Sequence, residues 1–268
     1  FPTEDGPLTL WRAPDAVGPP LLWVHGYTLD SSLWGQLWQL LPGYGHVGLD
    51  LPGHGGSRAL RPGDDLAGAA RAVLQAADAV GAQDVVAMSF GATVTLLAAA
   101  TDPDRFRTLV LAAPALPGGP EDQDAADCNQ ELLRLNREQG SGPWLAERWL
   151  AEPPAIFSGA RHDPVLFAAI GAVVARHRWD ELNLPAFARA DIPRLQSRLA
   201  RISAKLLLLL GDDEIASFVR TAELIRRSAP RCETVWIPKA GHLVLLEKPQ
   251  DCALHIANAL GEVGWALS

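Results

Sequence analysis

The segment Val85-Val86-Ala87-Met88-Ser89-Phe90-Gly91-Ala92 holds a serine with a small residue two positions away on either side. Residues 84–89 read as a buried strand and residues 91–100 as an Ala-rich helix, so Ser89 falls at a strand-to-helix turn. That is the setting of a nucleophile elbow, in which a tight turn lifts a hydroxyl above the end of a strand. Small neighbours are needed because adjoining backbone passes close by; the first is Ala87, where the motif more often has Gly. A serine hydroxyl becomes a useful nucleophile only when a base takes its proton. His242, in Lys239-Ala240-Gly241-His242-Leu243 just beyond a strand ending at Pro238, is the candidate base. A third group must hold one imidazole tautomer and stabilise the imidazolium. The acidic turn Gly211-Asp212-Asp213-Glu214-Ile215, after the apolar run at 205–210, offers the candidates. Each feature alone has a plainer reading, since serines among small residues are common in buried helices and a lone histidine is more often structural. The combination is what points to acyl transfer.

These residues need a scaffold that brings three distant turns together. Strand-like runs at 21–25, 46–50, 84–89, 108–114, 205–211 and 233–238 are separated by stretches with helical spacing. In one of these, Asp64 or Asp65 caps a helix with Leu66, Ala69, Ala70, Val73, Ala77 and Val80 on one face, ended by Gly81. Such alternation predicts βαβ units and a parallel sheet with right-handed crossovers. Sites in such sheets lie beyond the C-terminal strand ends, where Ser89, the acidic turn and His242 all fall. Residues 115–204 break the rhythm with helical stretches interrupted by Pro153-Pro154, Pro164, Pro185 and Pro193. The reading is a core of residues 1–114 and 205–268 with a helical insertion at 115–204.

The order serine, acid, histidine is accompanied by His25-Gly26 after one strand and Asp50-Leu51-Pro52-Gly53-His54-Gly55-Gly56-Ser57 after the next. Together these resemble the α/β-hydrolase superfamily, in its branch of capped serine hydrolases with esterases, lactonases and haloperoxidase-like enzymes. The resemblance covers about residues 8–114 and 205–262. It implies a mostly parallel eight-stranded sheet with flanking helices and a helical cap inserted after the sixth strand. It implies Ser89 as nucleophile, His242 as base and an acid three residues after Gly211, which is Glu214 where relatives usually have Asp. The extra methylene lengthens the reach by roughly 1.5 Å, a distance to which catalytic geometry is sensitive; Asp213, one residue earlier, is the competing candidate. The motif assigns the oxyanion hole to the backbone N–H groups of Phe90 and Tyr27, and gives His25 and His54 structural roles.

The resemblance makes the insertion the part that selects substrate. Its aromatics include Trp144, Trp149 and Trp179, the candidate substrate-binding residues, beside ten Arg and no Lys. Most such aromatics serve packing, but an apolar cap favours an apolar or aromatic acyl or alcohol group. Serine at the nucleophile position disfavours epoxide hydrolases and haloalkane dehalogenases. Gly91-Ala92-Thr93 departs from the Gly-Gly-Arg of the menaquinone-pathway synthase, and Gly26-Tyr27-Thr28-Leu29-Asp30 from the Gly-Pro-Gly-rich loop of ring-cleavage C–C hydrolases. The expectation is a hydrolase of a carboxylic ester, thioester or lactone, needing no metal or organic cofactor. The alternatives are a C–C hydrolase, lyase or natural-product tailoring enzyme on the same triad, and a non-catalytic small-ligand receptor.

Composition excludes partners but says nothing about catalysis. The 268 residues carry a net charge of −8, with 48% hydrophobic and 20% charged residues. That balance disfavours nucleic acid or an anionic membrane as partner, and no apolar run approaches the roughly 18 residues of a membrane helix. Cys128, Cys232 and Cys252 are odd in number and widely spaced, which suits reduced thiols in the cytoplasm. The expected partner is a small-molecule substrate, bound by a monomer or homodimer.

Overall fold

The computed structural model describes residues 1–14, 17–184 and 192–261; Pro185 and the C-terminal residues 262–268 lie outside that set. Among the described residues the sheet has seven strands: β1 (Thr9–Arg12), β2 (Pro20–Val24), β3 (Gly45–Asp50), β4 (Asp84–Met88), β5 (Thr108–Ala112), β6 (Lys205–Gly211) and β7 (Cys232–Ile237). Their order is β1-β3-β2-β4-β5-β6-β7, parallel throughout except for β1, which pairs antiparallel with β3 at the edge. The helices are α1 (Gly35–Leu40), α2 (Leu66–Val80), α3 (Phe90–Thr101), α4 (Gln123–Gln139), α5 (Pro143–Leu150), α6 (Pro164–Val174), α7 (Ile192–Leu199), α8 (Ala216–Ser228), α9 (Val244–Glu247) and α10 (Pro249–Leu260).

The two-residue alternation of the strands creates the layers. Leu22, Val24, Val85, Leu109, Leu111, Leu206 and Leu208 face one side, where they pack with residues of α2, α3, α7 and α8. Leu21, Trp23, Val86, Met88, Val110, Leu207 and Leu209 face the other, against α1, α10 and the insertion. Burial on both faces accounts for the nearly unbroken apolar runs of the central strands. Helix ends follow local chemistry. Asp65, not Asp64, caps α2 by accepting the Gly68 N–H at 2.8 Å, and Gly81 closes it at φ 72°. Asp64 pairs with Arg58 instead. Asp122 caps α4 by accepting the Ala125 N–H at 2.9 Å.

Three sequence expectations shift. Seven strands are described where eight were expected, so the insertion follows the fifth strand, β5, and not the sixth. The residues before β1 close locally: the Phe1 ammonium donates to Leu8 O, and Leu8 N–H donates back to Phe1 O. No earlier strand therefore adds to the sheet among them. The edge strand β1 had no sequence signal because its four residues are only half-buried or exposed, and no apolar run marks them. Finally, Leu195 and Leu199 of α7 join the apolar layer beside α3 and α8. This helix, assigned by sequence to the insertion, packs against α3 and α8 of the core.

The remainder of the insertion sits across the C-terminal strand ends and is tied there by polar contacts. Arg176 forks onto buried Asp30 at 2.7–2.9 Å, and Trp149 Nε1 donates to Thr28 Oγ1 at 2.8 Å. Arg178 donates to the carbonyls of Gly55 and Ser57, and Asp180 accepts the Leu60 N–H. No helix among the described residues is long and apolar enough to cross a membrane, and the three cysteines are free thiols.

Candidate active site

Ser89 follows the last residue of β4 and precedes α3, with φ 52° and ψ −120°. A non-glycine residue in that region costs about 1–3 kcal/mol and persists only where surrounding structure imposes it. Here Ser89 N–H donates to Ala112 O at 2.7 Å, and Ser89 O accepts from Thr93 N–H at 3.0 Å. Gly91 has to be glycine because a Cβ would strike the carbonyls of Val24 and His25. Ala87 is tolerated two residues before the serine, since its methyl is fully buried in the apolar layer.

Two loops converge on Ser89. The turn after β6 and the loop after β7 are joined by Asp213 N–H to Ala240 O at 3.0 Å and Ala240 N–H to Asp212 Oδ1 at 3.3 Å. They lie so close that a Cβ on Gly211 would enter the Ala240 carbonyl. This union brings His242 Nε2 to 2.9 Å from Ser89 Oγ and His242 Nδ1 to 2.9 Å from Glu214 Oε1. Both the His242 and Glu214 side chains have no exposed surface. Glu214 Oε1 also accepts the Ile215 N–H at 2.8 Å, which fixes the carboxylate plane. Asp213 is exposed and meets the histidine loop only through its backbone. Phe218 covers His242 with ring centroids 4.3 Å apart. The loop is further held by Glu247, whose two oxygens accept the N–H groups of Gly241 and Leu243.

The β2 loop passes beside the serine, a Cβ on Gly26 falling 3.4 Å from Ser89 Cβ. Tyr27 is anchored by the insertion. Its ring meets Trp149, Trp179, His177 and Phe90 edge-on, and its hydroxyl donates to Glu181 Oε1 at 2.5 Å. Burial, reinforced by Glu181, holds the Tyr27 phenol well above its ordinary pKa. Burial pushes the Glu181 carboxyl up as well, yet hydrogen bonds from His177 and Tyr27 outweigh it and keep Glu181 below the usual carboxylate range. His25 bonds Gly26 O at 2.8 Å and accepts the Leu51 N–H at 3.0 Å, while His54 bonds Pro52 O at 3.1 Å. These two histidines are structural joints of the turns.

Above Ser89 lies a cavity of about 430 Å³, lined by residues of the core and the insertion. Of the three tryptophans singled out by sequence, the structure brings only Trp149 to its wall. Trp144 sits on the first turn of α5 with its indole N–H on Gly140 O, away from the cavity. Trp179 is buried at a left-handed turn, φ 61°, and packs on Tyr27 and His177. The wall residues that sequence reasoning missed include Leu133, Ile156, Glu181 and Phe218. Glu181 carried a faint signal, lying four residues after His177 near the end of the insertion.

Burial lowers the pKa of three imidazoles, most strongly that of His54, with His25 and His46 also below the ordinary 6.5. Each stays neutral in the fold at a pH where the unfolded chain would protonate it. Below about pH 6.5 the unfolded state therefore binds more protons, and stability falls on acidification by up to about 1.4 kcal/mol per pH unit per histidine. Thermal melts from pH 7.5 to 5.5 are expected to show Tm falling steadily. A Tm that stays level or rises on acidification contradicts the buried neutral assignment.

The Alpha/beta hydrolase family matches residues 21–253 of the chain. A 2-succinyl-6-hydroxy-2,4-cyclohexadiene-1-carboxylate synthase from Serratia proteamaculans is 27% identical over 264 residues, covering 93% of this chain and 96% of the relative. A pimeloyl-[acyl-carrier protein] methyl ester esterase from Nitrosomonas europaea is likewise 27% identical over 256 residues, covering 87% and 92%. The crystal structure of an esterase from Rhodococcus sp. ECU1013 superposes with a TM-score of 0.80 at 20% identity, covering 98% of both chains. With the matched segment running from β2 into α10, the chain belongs to the alpha/beta hydrolase family.

Proposed function

We propose that the protein is a serine hydrolase of neutral carboxylic esters or closely related thioesters and lactones. The observation that carries the reading is the hydrogen-bonded series Glu214–His242–Ser89, two links of 2.9 Å each, at the base of the cavity. An ionised carboxylate only accepts, so Glu214 fixes the proton on Nδ1 and leaves the Nε2 lone pair facing the Ser89 hydroxyl. His242 takes that proton as Ser89 Oγ attacks the substrate carbonyl. The developing oxyanion is received by the backbone N–H groups of Phe90, at the N-terminus of α3, and Tyr27. His242 then protonates the leaving alcohol, and the acyl-enzyme is hydrolysed by a water that His242 activates.

The cavity supports a neutral, largely apolar substrate. Among the described residues Glu181 is its one ionisable wall residue apart from Tyr27, and neither Lys, Arg nor His lines it. The Serratia relative is named for a product bearing a ring carboxylate and a succinyl group, for which such a wall is poorly suited. A substrate carboxylate about 8 Å from Glu181 would be repelled by about 2 kcal/mol at an effective dielectric of 20, or roughly 30-fold in affinity. The test compares p-nitrophenyl esters of equal chain length, one ending in a methyl group and one in a carboxylate. The methyl-ended ester is expected to have a kcat/KM at least about tenfold higher, with Glu181→Gln narrowing that ratio. Preference for the carboxylate-ended ester would overturn the neutral-ester reading.

A further inference from the structure

Glu247 stands outside the serine, histidine and acid series, yet its carboxylate grips the peptide on both sides of the base. Oε2 accepts the Gly241 N–H at 2.6 Å and Oε1 accepts the Leu243 N–H at 3.0 Å, so the fork spans His242. The Glu247 N–H donates to Leu243 O at 3.0 Å, which makes α9 a single short turn closing that loop on itself. Over this fork lies Gly159 of the insertion, where a Cβ would collide with Glu247 Oε2. A Cβ on Gly241 would in turn lie 3.4 Å from the Gly159 N. The base loop, Glu247 and the insertion therefore meet in one packed contact.

We propose that Glu247 is a positioning residue for His242, and that the insertion holds it in place through Gly159. Two charge-assisted bonds to backbone N–H groups fix where the loop sits, and hence the Nε2–Oγ distance on which proton transfer depends. The titratable groups facing Glu247 are His242, Glu214 and the buried Cys252 thiol of α10, which burial keeps protonated. Its negative charge adds to that of Glu214 in favouring the imidazolium. Burial pushes the Glu247 carboxyl up, so its hold on the loop weakens on acidification.

This inference rests on the serine-hydrolase reading, and the test separates the two by measuring Ser89 labelling by a fluorophosphonate as well as ester turnover. Wild-type protein that is labelled but turns over no ester would fail the ester reading and leave the positioning role measurable. Glu247→Gln is nearly isosteric but sets an amide NH₂ against one of the two N–H donors. Its labelling rate and kcat are expected to fall about ten- to a hundredfold, with KM within about threefold. The acid limb of its kcat/KM profile is expected to move to lower pH, because the imidazolium loses a neighbouring negative charge. Gly159→Ala, which presses on Glu247 from the insertion without touching the loop sequence, is expected to lower labelling in the same direction. Folded Glu247→Gln with labelling, kcat and acid limb within twofold of wild type would overturn the positioning role. If Glu247→Gln fails to fold, Gly159→Ala decides: unchanged labelling overturns the proposal and slowed labelling supports it.

Discussion

Ser89→Ala is expected to lower kcat for p-nitrophenyl ester hydrolysis by about 10⁴–10⁶-fold, with little change in melting temperature. The size follows from what the hydroxyl does and from how little else depends on it. Its oxygen is the partner of His242 Nε2 at 2.9 Å, while the strained turn itself is held by backbone bonds that alanine retains. The substitution therefore removes the nucleophile and leaves the elbow. Residual turnover would come from oxyanion binding and from water activated by His242. Steady-state kinetics with a circular-dichroism melt checks both halves of the expectation. Turnover within tenfold of wild type would mean that the acyl group is taken by another residue.

Glu214→Gln is expected to lower kcat by about 10³–10⁴-fold, whereas Asp213→Asn is expected to leave it within about twofold. A neutral amide neither stabilises the imidazolium nor enforces the Nδ1–H tautomer, so the Nε2 lone pair is no longer fixed toward Ser89. Asp213 differs because its carboxylate is exposed, and its only bond to the histidine loop is made by a backbone N–H that asparagine keeps. A large loss in Asp213→Asn with little in Glu214→Gln would reverse the assignment of the acid.

Local pattern made much of this arrangement legible before any geometry. Ser89 between small residues at a strand end, Glu214 three residues past Gly211 and His242 beyond the last strand are features of short segments. Parallel-sheet topology then dictates that the ends of β4, β6 and β7 converge. The choice between Asp213 and Glu214 was harder to read, since it depends on how the turn after β6 is pinned to Ala240 from another loop. The insertion was least legible. Trp144, Trp149 and Trp179 share a residue type, but which of them reaches the cavity is set by where α5 docks. Contacts far apart in sequence set that docking, namely Trp149 to Thr28 and Arg176 to Asp30. Glu181 was faint and Glu247 silent for the same reason: their meaning comes from Tyr27 and His177 in one case, and from the backbone around His242 in the other. The strand β1 was missed because an exposed edge needs no apolar run.

The most direct test of the mechanism is to trap the covalent intermediate. Mass spectrometry of protein treated with a p-nitrophenyl ester and quenched in acid during the burst should show one added acyl group, mapped by peptide digestion to Ser89 and absent in Ser89→Ala. Ester turnover with no adduct, or with the acyl group on another residue, would contradict the account.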